Sequence, residues 1–123
     1  MFFNYLSTLK IPTNLPIKNL SKGMKMKTNI AVALSHNPTY LLLDEITSGL
    51  DPLVRNNILY IIKDYVEKNE AIAIMTTHLL DDVVRISNKV IVLHEGTVVL
   101  DKNVNEIKDT NNLESLLTEV VGE

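Results

Sequence analysis

Residues Tyr40-Leu41-Leu42-Leu43-Asp44-Glu45-Ile46-Thr47-Ser48-Gly49-Leu50-Asp51-Pro52 decide how this chain folds. A short apolar run leads into two adjacent carboxylates, then a small-residue turn, then an Asp-Pro pair. The run Tyr40 to Leu43 is continuous rather than alternating, the pattern of a strand covered on both faces of a parallel sheet. Asp51 is suited to a helix N-cap, and Pro52 to the first turn, where its missing N–H costs nothing. Behind them Val54, Ile58, Ile61, Ile62 and Tyr65 recur at helical spacing and form one apolar stripe. The stretch therefore reads as strand, turn, helix.

Working outward, Ala71 to Met75 and Val90 to Leu93 are two further apolar runs of strand length. A helix is predicted from about Lys22 to Ser35, with Ser21 as its N-cap. A shorter one follows Leu80, with Asp81 and Asp82 at its positive end. Strands separated by helices predict an α/β fold with parallel crossovers. His94-Glu95-Gly96-Thr97 reads as a tight turn into a fourth strand, Val98 to Leu100. From Lys102 the chain is polar, with a small helical pattern at Leu113, Leu116, Leu117 and Val120. Residues 1–19 contain Pro12 and Pro16 and predict no firm element. There is no internal repeat and no low-complexity linker.

Composition narrows the function. At 123 residues there is room for one packed core, and 46% hydrophobic with 22% charged residues is a globular balance. A formal net charge of −3 gives no drive toward nucleic acid or acidic membranes. The absence of cysteine excludes disulfides, thiolate metal sites and cysteine nucleophiles. No apolar stretch approaches the ~20 residues that cross a bilayer. The opening Met-Phe-Phe-Asn-Tyr-Leu has no basic n-region and is a poor signal peptide. Membrane association would go through a partner.

Four short pieces carry chemistry. Ser21 and Gly23 place a hydroxyl and open backbone N–H groups at a helix start, where an anion can sit; a plain N-cap is the simpler reading of Ser21 alone. Asp44 and Glu45 end a strand, where α/β sheets present ligand-binding groups. One carboxylate can hold a hydrated magnesium ion, which takes few protein ligands, while the other polarises a water. Alone, the pair would be a solvated strand terminus. Thr47-Ser48-Gly49-Leu50-Asp51 forms a turn. His78 follows the run Ala71 to Met75 and reaches the same sheet end as Asp44 and Glu45 if the two strands are parallel.

In this order the pieces resemble the nucleotide-binding domains of ABC ATPases. Leu20 to Met24 resembles the signature motif, Leu41 to Glu45 Walker B, Ser48 to Asp51 the D-loop, and His78 the switch histidine. The resemblance runs from about Leu20 to Leu100, and the wording around the signature is most similar to ATP-binding subunits of bacterial ABC-2-type exporters. It implies ATP as substrate and Mg2+ as cofactor. Asp44 would position the metal, Glu45 would act as general base, and His78 would contact the γ-phosphate. Asp51 would couple two subunits, while Ser21 and Gly23 would reach nucleotide on the opposite subunit. A transporter's transmembrane subunit would be the membrane partner, and the protein would lie at the inner face of the cell membrane. Such distributed positioning suits phosphoryl transfer. Lys22 stands where the signature usually has glycine, Met24 where it has glutamine, and Ile46 where proline usually follows the Asp-Glu pair. That last change restores a backbone N–H and frees φ, so a less rigid carboxylate loop is expected.

The phosphate-gripping pattern Gly-x-x-x-x-Gly-Lys-Ser/Thr is absent from the sequence. Its glycines are Gly23, Gly49, Gly96 and Gly122, and no two have that spacing. No glutamine occurs, so the Q-loop is absent too. The resemblance thus implies the C-terminal half of an ABC ATPase domain. Residues 1–19 would be a remnant of the helical subdomain, 20–101 the core and 102–123 a helical tail. The initial methionine favours a short reading frame. The strand expected between Ala71–Met75 and Val90–Leu93 would be missing. Those two runs would then pair directly, or the N-terminal segment or another chain would fill the gap. The chain would be inactive alone and would need the missing half or a second ATPase subunit. The alternative is a non-catalytic module lending its signature motif to another subunit. A phospho-receiver is excluded, since no acidic residue precedes Ser21. Lys18, Lys22, Lys25 and Lys27 have no interleaved aromatics for base stacking, so no nucleic-acid partner is expected.

Overall fold

The computed structural model describes residues 11, 12, 14, 16, 18 and 20–122. The reading of residues 1–19 falls largely outside them. The chain divides into two compact units, Met1–Thr76 and Thr77–Glu123.

The first unit contains α1 (Lys22–Leu34), β1 (Tyr40–Asp44), α2 (Pro52–Asn69) and β2 (Ile72–Thr76). Ser21 caps α1 as expected, its Oγ accepting the Met24 N–H at 3.1 Å. Asp51 caps α2 twice over: Oδ1 accepts from Leu53 at 3.1 Å and Val54 at 3.2 Å. β1 and β2 pair in parallel, from Tyr40 opposite Ile72 to Asp44 opposite Thr76. β2 sits one residue later than the apolar run suggests. Ala71 is buried ahead of it, and Thr76 becomes its last residue.

Leu41 and Leu43 point into a core with Ile30 and Leu34 of α1 and Ile58 and Ile62 of α2. Tyr65 joins that core and also donates its hydroxyl to the Pro38 carbonyl at 2.7 Å. Of the predicted stripe on α2, Ile58, Ile62 and Tyr65 are buried and Val54 and Ile61 half-buried; Leu59 is buried as well. The expectation of strands covered on both faces is corrected. Burial alternates along β1, and Tyr40 and Leu42 stand 71% and 79% exposed. On β2, Ile72 and Ile74 are exposed on the same side. The reason is that α1 and α2 pack into a core that reaches one face of the pair.

The second unit holds α3 (Leu80–Ile86), β3 (Lys89–His94), β4 (Thr97–Asn103), a short 3-10 turn (Val104–Glu106) and α4 (Thr110–Val121). β3 and β4 form an antiparallel hairpin. Its turn puts Glu95 and Gly96 at φ 51° and 78°, the positive values that a tight two-residue hairpin requires. Leu113 of α4 packs with Val90, Leu100 and Ile107, and Leu116, Leu117 and Val120 flank them, which gives the predicted tail pattern a core to cover.

The described strands form two separate sheets. β1 and β2 form one two-stranded sheet, β3 and β4 another. Ala71–Met75 and Val90–Leu93 therefore do not pair directly, and no third described strand joins either sheet. Each strand satisfies one edge with its own hairpin or crossover partner.

Candidate nucleotide-hydrolysing site

The chemistry-bearing end of the first unit is where β1 and β2 both stop. Because the strands are parallel and in register, Asp44 and Thr76 lie side by side. The Thr76 hydroxyl donates to Asp44 Oδ1. The next backbone N–H, that of Glu45, is shared between the Thr76 carbonyl and Thr76 Oγ1, both at 3.1 Å. Glu45 takes φ 51°, the left-handed region that Asn37, Glu70 and Glu95 also adopt at turns and a helix end in this chain. The turn then closes through Ser48 N–H to the Glu45 carbonyl and Leu50 N–H to the Thr47 carbonyl, each at 3.3 Å.

This loop is anchored from beneath. Ile46 is 7% exposed and belongs to the core; Thr47 is 1% exposed. The side chain that stands in place of proline is thus buried in the core. Gly49 has φ 73°, and the Lys22 ammonium occupies the space where a side chain at this position would begin. The carboxylates themselves stay accessible: Asp44 is exposed and Glu45 half-buried.

The start of α1 is built differently. Ser21 Oγ serves as an acceptor for the cap, which leaves the hydroxyl's own proton uncommitted to that bond. Gly23 lies where α1 meets α2, and a Cβ there would stand 3.0 Å from Val54 Cγ1. Close helix packing alone therefore accounts for glycine at this position. Asp51 is exposed and engaged as the α2 cap. His78 belongs to the second unit, exposed, two residues beyond β2. There the Thr77 hydroxyl accepts the Leu79 N–H at 3.0 Å and turns the chain into α3.

Asp44 and Glu45 are hard oxygen donors, and magnesium is commonly held by one or two carboxylates together with phosphate oxygens and waters. The donor set fits that mode. Among the described residues no group of three or more His, Cys, Asp or Glu is arranged to hold an ion unaided. Sequence reasoning missed Thr76. A hydroxyl directly after the predicted strand Ala71 to Met75 was the available signal.

Comparison with known proteins gives the class. The family described as "AAA domain, putative AbiEii toxin, Type IV TA system" matches residues 11–81, and the chain belongs to this family of P-loop ATPases. Within that class its homologues are ABC transporter ATP-binding proteins. A lantibiotic transport ATP-binding protein of Streptococcus pyogenes is 36% identical over 102 residues, covering 82% of this chain and 42% of that protein. An energy-coupling factor transporter ATP-binding protein of Clostridioides difficile is 37% identical over 98 residues, covering 73% of this chain and 34% of that one. Among solved structures, CbiO1 of Clostridium perfringens, part of the ABC transporter complex CbiONQ, superposes with a TM-score of 0.76. It shares 28% identity, and the match covers 98% of this chain and 49% of that one. The chain thus spans less than half the length of these relatives. Among the described residues no helix is long and apolar enough to cross a membrane.

Proposed function

We propose that the chain is the C-terminal part of an ABC-type ATPase subunit, hydrolysing ATP to drive an exporter. It works only when a phosphate-gripping part is supplied by a longer chain or a second subunit. One observation carries the reading: Asp44 and Glu45 are fixed at the joint end of two parallel strands. In this proposal Glu45 takes the proton of the attacking water, and Asp44 with the nucleotide's phosphates would hold Mg2+. The ion, when bound, neutralises phosphate charge. His78 contacts the γ-phosphate, Ser21 and Gly23 face nucleotide on a partner subunit, and Asp51 couples the subunits. Residues 20–101 form the working core and 102–123 a helical tail. A transporter's transmembrane subunit would hold the protein at the cytoplasmic face of the membrane, with no nucleic acid involved. The names of the relatives and the gap between their length and this chain's support the proposal.

Calorimetry with Mg-ATP tests it, on the purified chain alone and mixed with an intact homologous subunit. Alone, the chain should show no micromolar binding, because backbone amides that cradle phosphates are lacking from its sequence. In the mixture, turnover should appear, and Glu45→Gln should cut it by ~10²–10⁴-fold while nucleotide still binds. Tight Mg-ATP binding by the chain alone would overturn the requirement for a second part. Turnover indifferent to Glu45→Gln would favour the non-catalytic reading.

A further inference from the structure

We infer that Thr76 is a positioning residue that ties the Asp44 carboxylate to the backbone of Glu45, an inference that rests on the hydrolytic reading above. Its hydroxyl touches the Asp44 carboxylate and the Glu45 backbone N–H. The Glu45 backbone N–H can only donate, so Thr76 Oγ1 must accept there, at 3.1 Å. A hydroxyl has one proton, and Thr76 gives it to Asp44 Oδ1. The direction of both bonds is therefore set by chemistry. Asp44 is held as an acceptor, and Glu45 is held by its backbone. The Thr76 carbonyl adds a second acceptor for the same Glu45 N–H at 3.1 Å.

This bonding sits where the backbone most needs it. Glu45 adopts φ 51°, a conformation that a non-glycine residue keeps only when its surroundings over-determine it. Burial of Ile46 and Thr47 fixes the loop on its far side. Thr76 fixes it on the near side, from the neighbouring strand rather than from within the loop. A strand partner with an apolar side chain could still accept through its carbonyl. It could not orient the Asp44 carboxylate, nor join that carboxylate to the Glu45 backbone through one group.

The test compares Thr76→Val, which keeps the shape and removes the hydroxyl, with Thr76→Ser, which keeps the hydroxyl. In the purified full chain, hydrogen exchange of the Glu45 amide should quicken about tenfold in Thr76→Val. Amides of α2 and β3 should not change, and Thr76→Ser should match the parent. Should the valine variant loosen the whole chain, Thr76→Ala against Thr76→Ser makes the same hydroxyl comparison. With the complementing subunit present, Thr76→Val should lower kcat about tenfold at unchanged KM for ATP, and serine should restore it. A Glu45 amide that exchanges equally in the valine and serine variants would overturn the inference. Because that readout needs no turnover, it decides the role of Thr76 even if the assembly proves unable to hydrolyse ATP.

Discussion

On one face of the β1–β2 pair, Leu41 and Leu43 lie among Ile58, Ile62 and Tyr65, almost wholly removed from water. On the other, Tyr40, Leu42, Ile72 and Ile74 stand in two cross-strand pairs, every one more than half exposed. The two faces are equally apolar, and only the first is covered. Contiguous apolar surface of this kind marks an interaction site more often than a solvent boundary. The bare row is also the row that ends in Asp44 and Thr76, since alternate residues share a face. A partner covering Leu42 and Ile74 would therefore arrive beside the carboxylates. If the phosphate-gripping part of the proposed assembly covers that face, it meets Asp44 at the end of the row.

The largest effect that tests the contrast belongs to the covered side. Leu43 is 7% exposed in the core, and Leu43→Ala should destabilise the isolated chain by ~2–5 kcal/mol through lost burial and a residual cavity. For a domain with a net stability of ~5–15 kcal/mol that is a large fraction. Urea unfolding followed by circular dichroism would measure it. A loss under ~1 kcal/mol would mean that the covered face is not the stabilising one, and the contrast would collapse.

Why the contrast could not be foreseen is instructive. The run Tyr40 to Leu43 is apolar at every position, so no period-2 signal separated inside from outside. A continuous run states that both faces need cover; it does not state that this chain supplies both. Capping was easier to read. Ser21 and Asp51 bind the N–H groups that their residue types predict, because a cap depends on neighbours two or three positions away. The order of elements was legible for the same reason. The pairing of Asp44 with Thr76 was not, since it depends on strand register across 32 residues, and register is a tertiary fact. The separation into a parallel pair and a hairpin was hidden likewise. The apolar runs announce strands without naming their neighbours.

A middle-sized effect sharpens the contrast from a position that belongs to neither face. Asp51→Ala removes the acceptor for two α2 N–H groups and should cost ~1 kcal/mol in the isolated chain. Asp51→Asn should recover most of it, since the amide oxygen can cap as well. The same urea unfolding reads both. If Asp51→Ala instead matched Leu43→Ala, α2 would depend on its cap as much as on its buried stripe, and burial would no longer explain why one face holds.

The smallest effect is the most discriminating. Leu42 is 79% exposed in the centre of the bare face, directly opposite Ile74. Leu42→Thr introduces a β-branched residue that suits a strand, while removing apolar surface from water contact. In the isolated chain it should alter stability by no more than ~0.5 kcal/mol, as surface changes do. It should also reduce light scattering at high concentration, since the patch that drives association is smaller. On addition of the complementing subunit the effect should grow. Leu42→Thr, nearly silent alone, should weaken assembly measured by calorimetry more than Tyr60→Thr does at an exposed site on α2, because the threonine hydroxyl would be buried against the arriving part. An assembly as tight as the parent's would show that the partner docks elsewhere. Tyr40, Leu42, Ile72 and Ile74 would then be merely exposed, and their alignment with Asp44 and Thr76 would carry no consequence for the site.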